Sequence, residues 1–147
     1  MLRLHRAVVA DDADRTGYAD QKLGALFVRV VAAEGSDETP SEARPAVTGD
    51  LASATGMDVI ILGVKAHGLT TLAPQIAPLI GPNTTVLSTQ NGVPWWYFEN
   101  ETGELAGLRL ESVDPGGVIA ASIPAKSVVG SLVYFATDLA GPGVVRN

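Results

Sequence analysis

The chain contains no cysteine. A disulfide framework, a thiolate nucleophile and a Cys-ligated metal site are therefore excluded, and the composition fits a cytoplasmic protein. Histidine is nearly as scarce, present only as His5 and His67. That leaves no second imidazole near either one for a metal site, and no defensible Ser-His-Asp order. Basic residues are few, 10 Lys and Arg against 16 Asp and Glu, for a net charge of −6. A nucleic-acid binder needs a basic face to displace counterions from phosphates, so no nucleic-acid partner is expected. No apolar run reaches the roughly 20 residues needed to cross a bilayer. Asp11, Asp12 and Asp14 cut short the apolar start before it resembles a secretory signal. One further absence bears on cofactors. No G-x-G-x-x-G occurs, so no visible turn cradles a pyrophosphate at a helix start. Gly63 and Gly68 have the spacing that opens a P-loop and Thr70 fits its last position, but Leu69 stands where Lys is required, so the motif is rejected.

What is present is a core. Hydrophobic residues make up 46% of 147 residues and charged residues 18%, which suits one packed domain and argues against global disorder. Residues 1–25 carry no persistent apolar period, and a frayed start, at most a short helix, is expected there. Leu26 to Ala32 has the β-branched and aromatic content of a strand, and Ala46 to Thr48 suggests another short one. Asp50 to Thr55 reads as a short helix closed by Gly56. Val59 to Val64 is a continuous apolar run, the pattern of a central parallel strand buried on both faces. Gly68 to Ile80 has helical spacing, with Pro74 and Pro78 predicting a kink or split. Thr85 to Thr89 is a second apolar strand, so the three segments form a βαβ unit with adjacent parallel strands and a right-handed crossover. Gln90-Asn91-Gly92 turns the chain into the aromatic run Trp95, Trp96, Tyr97 and Phe98. Asp114 and Pro115 open a short helix, Ser127 to Ala136 reads as a long strand, Asp138 to Pro142 as a turn, and Gly143 to Arg146 as the start of a last strand.

In an open parallel sheet, ligands bind beyond the carboxyl ends of the strands. Two such ends carry polar residues, Val64-Lys65-Ala66-His67 and Gln90-Asn91-Gly92. If their strands are neighbours, Lys65 offers a point charge and Asn91 a donor and an acceptor to one crevice. The alternative is that Lys65 is a solvated loop lysine and that Asn91 occupies its turn for its tolerance of left-handed backbone. His67 fits a rim residue better than an acid or base. Trp95 and Trp96 fit core packing or an interface anchor better than ring stacking.

Asp58 to Lys65 (DVIILGVK), Gly81-Pro82-Asn83-Thr84 and Thr89-Gln90-Asn91-Gly92-Val93 resemble the N-terminal domain of the ketopantoate reductases, also called 2-dehydropantoate 2-reductases. Pro142 to Arg146 is similar to the same family's segment at the end of that domain, and Pro94 to Phe98 and Glu111 to Gly117 resemble a bacterial subgroup of it. The resemblance spans about Leu26 to Asn147. It implies an α/β fold, a partial Rossmann-like domain over residues 26–147 with a mostly parallel sheet, and reduction of ketopantoate to pantoate with NADPH on the route to pantothenate and coenzyme A. By the same resemblance, Lys65 stands at the nicotinamide side of the NADP cleft, and Asn91 touches both cofactor and the 2-oxo acid substrate. The departures are in residues 1–24, where the family's first strand, Gly-rich loop and 2′-phosphate-reading arginine are not recognisable. The family's catalytic lysine lies on a following helical domain, so no catalytic residue is assigned in this chain. Weak NADPH binding and self-association through an uncovered sheet edge, with Trp95 and Trp96 as anchors, are expected. Two rival readings stay open: a non-catalytic interaction module keeping part of the fold, and another two-domain Rossmann dehydrogenase of the hydroxyacid type.

Overall fold

Alternation along the two apolar runs sets the architecture. In the computed structural model, which describes residues 7–10, 50–134, 136, 138–141 and 144–146, β2 (Val59–Leu62) and β3 (Thr85–Ser88) lie side by side and parallel, with Ile60 opposite Val86 and Leu62 opposite Ser88. This is the adjacent parallel pair the sequence predicts. β1 (Ala7–Ala10) pairs parallel with the other side of β2, and β4 (Val128–Gly130) pairs parallel with β3. The sheet order is β1-β2-β3-β4. The chain start, expected to be frayed, thus contributes a strand at Ala7–Ala10. A strand's worth of main-chain donors and acceptors beside β2 outweighs the weak local pattern there. The strands expected at Leu26 to Ala32 and Ala46 to Thr48 lie outside the described residues.

Helix α1 (Leu69–Ile76) buries Leu69, Leu72, Ala73 and Ile76. These are the positions its 3.6-residue period places on one face. They join Ile60, Leu62 and Val86 of the sheet and Ile119 and Ile123 of and beyond α2 (Val118–Ser122) in one core. The expected split occurs. Pro74 sits inside α1, the α-helix ends at Ile76, and Ala77–Leu79 continues as a 3-10 turn containing Pro78. One expectation is corrected. β2 and β3 are not buried evenly on both faces: Ile60, Leu62, Val86 and Ser88 are buried, whereas Val59, Ile61, Thr85 and Leu87 are only half-buried. An apolar run does not say how many layers cover it.

The short helix at Leu51–Ser53 is a 3-10 turn capped by Asp50, whose carboxylate accepts from the Ala52 N–H at 3.0 Å. Gly56, at φ 67°, turns the chain after it. Thr84, buried, ties the Gly81 turn to the entrance of β2: its hydroxyl donates to the Met57 carbonyl (2.8 Å) and accepts from the Gly81 N–H (3.0 Å). The long strand expected over Ser127 to Ala136 is shorter, Val128–Gly130. Residues 131–134 leave the ladder, for a reason given below. The turn expected over Asp138 to Pro142 is also corrected. Asp138–Gly141 is β5, paired antiparallel with β6 (Val144–Arg146) in a separate two-stranded sheet.

Candidate functional site

Because β2, β3 and β4 are parallel, their carboxyl ends open on the same edge of the sheet. The polar residues after each strand therefore gather without any need for long loops. Lys65 follows β2 in extended backbone (φ −69°, ψ 153°) and opens the 3-10 turn Ala66–Gly68, its carbonyl accepting from the Gly68 N–H at 2.9 Å. Lys65 and His67 are both exposed. Asn91, also exposed, follows β3. The structure thus brings Lys65 and Asn91 to neighbouring strand ends.

The Asn91 side chain has a second occupation. Its amide donates to the Val133 carbonyl (2.9 Å), and its oxygen accepts from the Val133 N–H (3.1 Å). A side-chain amide here satisfies both main-chain groups of one residue, as a neighbouring strand would. This explains why the segment after β4 leaves the ladder yet stays beside β3: the Ser131 N–H still donates to the Ser88 carbonyl at 2.8 Å, and Asn91 takes over two residues later. One amide N–H and one lone pair of Asn91 remain for a ligand. The idea that Asn91 is there for left-handed backbone is corrected. No non-glycine among the described residues has a positive φ, and Gly92 takes that conformation instead, at φ 104°. A Cβ at Gly92 would meet nothing within 4 Å, so the backbone angle and not space calls for glycine.

Two neighbours in the turn escape a sequence reading. The Thr89 hydroxyl donates to the Leu62 carbonyl (2.8 Å), and the Gln90 amide donates to the Val64 carbonyl (3.0 Å). Both reach back across to β2 where its own pairing has ended. The signal available in advance is only that polar, hydrogen-bonding types follow the apolar strand.

Behind the turn lies a cavity of about 20 Å³ bordered by Ser88, Gln90, Asn91, Gly92, Trp95 and Ile119. That is room for about one water and far too little for a dinucleotide. Trp95 packs against the core and meets Trp96 edge-on, ring centroids 4.3 Å apart. The indole Nε1 of Trp95 is buried without a hydrogen-bond partner among the described residues. Trp96 in turn closes on Gly130 of β4, where a Cβ would stand 3.4 Å from its ring. The aromatic run is thus partly core, not a free stacking platform. Asp114, buried, holds the start of α2: its carboxylate accepts from the N–H groups of Ile119 (2.7 Å) and Ala120 (3.0 Å). The Asp114-Pro115 start predicted from sequence is therefore correct in kind, but the α-helix begins later. Gly116 and Gly117, at φ 67° and 69°, turn the chain between cap and helix.

Among the described residues, no group of three His, Cys, Asp or Glu could hold a metal ion, and no helix is long and apolar enough to cross a membrane. The donor set, a cation and a spare amide at adjacent strand ends, suits a polar or anionic ligand. Nothing described supplies the backbone donors a pyrophosphate needs.

Comparisons with known proteins bear on the family. The family model for ketopantoate reductase PanE/ApbA matches residues 19–147. A 2-dehydropantoate 2-reductase of Mesorhizobium japonicum is 44% identical over 114 residues, covering 78% of this chain and 34% of that protein. A crystal structure described as that of a ketopantoate reductase from Ralstonia solanacearum MolK2 superposes with a TM-score of 0.61 at 46% identity, over 67% of this chain and 30% of the other. The chain spans about a third of the length of these relatives. With a family match over most of its residues and a parallel sheet to go with it, this chain belongs to the ketopantoate reductase PanE/ApbA family.

Proposed function

We propose that this chain forms part of the cofactor-binding half of an NADPH-dependent 2-oxo acid reductase, acting in the cytoplasm on 2-dehydropantoate and yielding pantoate. The observation that carries this reading is the placement of Lys65 and Asn91 on adjacent carboxyl ends of a parallel sheet, in a chain whose relatives carry the reductase name. When bound, NADPH supplies the hydride. Lys65 contributes a mobile positive charge, suited to a ribose hydroxyl or to the polarised end of the substrate. Asn91 is fixed by its two bonds to Val133. Its spare N–H is therefore already oriented, and a preoriented donor loses little entropy when it aligns a carbonyl. Neither side chain is assigned the proton that completes reduction.

Affinity for NADPH is expected to be weak, nearer a Kd of about 1 mM than of about 1 μM, because no Gly-rich turn is recognisable to hold the pyrophosphate. Titrating the labelled chain with NADPH and following backbone amide resonances tests the assignment. Shifts should centre on residues 64–68 and 89–92 and disappear in Lys65→Ala. Shifts elsewhere, or none at millimolar NADPH, would refute the cofactor reading. A Kd in the low micromolar range would instead place a pyrophosphate site in residues 1–49.

A further inference from the structure

We propose that Gln90 is a positioning residue that acts through Lys65: its side-chain amide, bonded to the Val64 carbonyl, fixes the backbone from which Lys65 projects. The proposal rests on the reading of Lys65 given above, and the reason for it lies in how β2 ends. The β2–β3 ladder closes at the Leu62–Ser88 pair. Beyond it, side chains from β3's turn take over, Thr89 on the Leu62 carbonyl and Gln90 on the Val64 carbonyl. The Lys65 side chain itself makes no capping bond and is exposed. Its position is therefore set by its backbone alone. That backbone has two anchors. Downstream, the Gly68 N–H closes the 3-10 turn on the Lys65 carbonyl. Upstream, the peptide joining Val64 to Lys65 is held by Gln90. Val64 is 3% exposed, so few waters can replace Gln90 at its carbonyl. Gln90 is itself oriented by a long contact, the Ser88 hydroxyl donating to its amide oxygen at 3.5 Å.

Reach matters as much as chemistry. The bond spans from one strand's turn to the next strand's end, and a side chain one methylene shorter does not cover it. An anchor of this kind fixes where the stem of a loop lysine begins and so narrows the region of the crevice its mobile charge can reach.

The test uses the full 147-residue chain. Gln90→Met keeps length and neutrality but removes the donor, and Gln90→Asn keeps the amide but shortens it. In both, the amides of residues 64–68 should shift and lose order on the nanosecond scale, while those of Val59–Leu62 and Thr85–Ser88 hold. NADPH affinity should fall roughly two- to tenfold, the range of one hydrogen bond. The double variant Gln90→Met with Lys65→Ala should bind no more weakly than Lys65→Ala alone, since the effect passes through Lys65. Unchanged order at residues 64–68 would overturn the proposal. So would multiplying losses in the double variant, which would mean that Gln90 acts on the cofactor independently. If the unmodified chain shows no response to NADPH, the cofactor reading fails. The order of residues 64–68 in the Gln90 variants then decides alone whether Gln90 anchors Lys65.

Discussion

Asp114 shows how much one buried carboxylate can carry. It is 3% exposed and accepts from two N–H groups at the start of α2. Those donors have no intrahelical partner, and bonds to a charged acceptor are worth more than neutral ones. Asp114→Ala is expected to lower unfolding free energy by about 2–3 kcal/mol, and Asp114→Asn, with one oxygen left to accept, by roughly half as much. Urea denaturation of the three chains measures this. An Ala variant with an unshifted midpoint would show that water reaches the helix start. Lys65 lies at the other extreme: exposed and with no side-chain capping bond, it is expected to add little to stability.

At the scale of elements, the strands of the main sheet are unequal on their two faces. Ile60 is fully buried beneath α1 and α2, whereas Ile61, its neighbour in β2, is half-buried on the opposite face. A truncation in a closed core removes transfer energy and leaves a cavity, while one at a half-covered face loses less. Ile60→Ala is expected to cost about 3–4 kcal/mol and Ile61→Ala roughly half of that. Equal costs in thermal or urea unfolding would mean that both faces of β2 are closed. The sequence showed a doubly apolar run and could not distinguish these cases, because hydrophobicity reports the preference of a side chain and not the presence of a layer over it. The helix was more legible. Proline has no N–H to donate, so Pro74 within α1 and Pro78 just past its end limit a continuous α-helix, and the split between α1 and the 3-10 turn follows from covalent structure.

For the whole molecule, β4 lies at an edge of the described sheet. Val129 is 52% exposed, Leu132 64% and Tyr134 90%. An edge strand beside exposed apolar side chains favours pairing with another chain. Trp95 and Trp96, the anchors suggested by sequence, are half-buried against the core and Gly130 and are poor candidates. We expect the chain to self-associate with rising concentration and Leu132→Lys with Tyr134→Lys to reduce it. Light scattering after size exclusion is the measurement. A monodisperse monomer at about 100 μM, where contacts of even modest affinity populate dimers, would count against an exposed edge.

Elements whose cause is local were legible in the chain alone: the two apolar runs, the helix between them and its break at proline, the glycine of the turn, and the parallel βαβ unit they compose. The same reasoning placed Lys65 and Asn91 at strand ends, because a parallel sheet gathers such ends on one edge. The rest depends on contacts between distant segments. The AVVA segment at Ala7–Ala10 is too short to declare itself and becomes a strand only beside β2. The expected long strand stops at Gly130 because residue 133 bonds to a side chain 42 positions away. Gln90 and Asn91 look alike in the sequence, two amides in a turn. One holds the strand before it and the other the segment after β4, and only the meeting of distant backbone carbonyls with those amides separates the two roles.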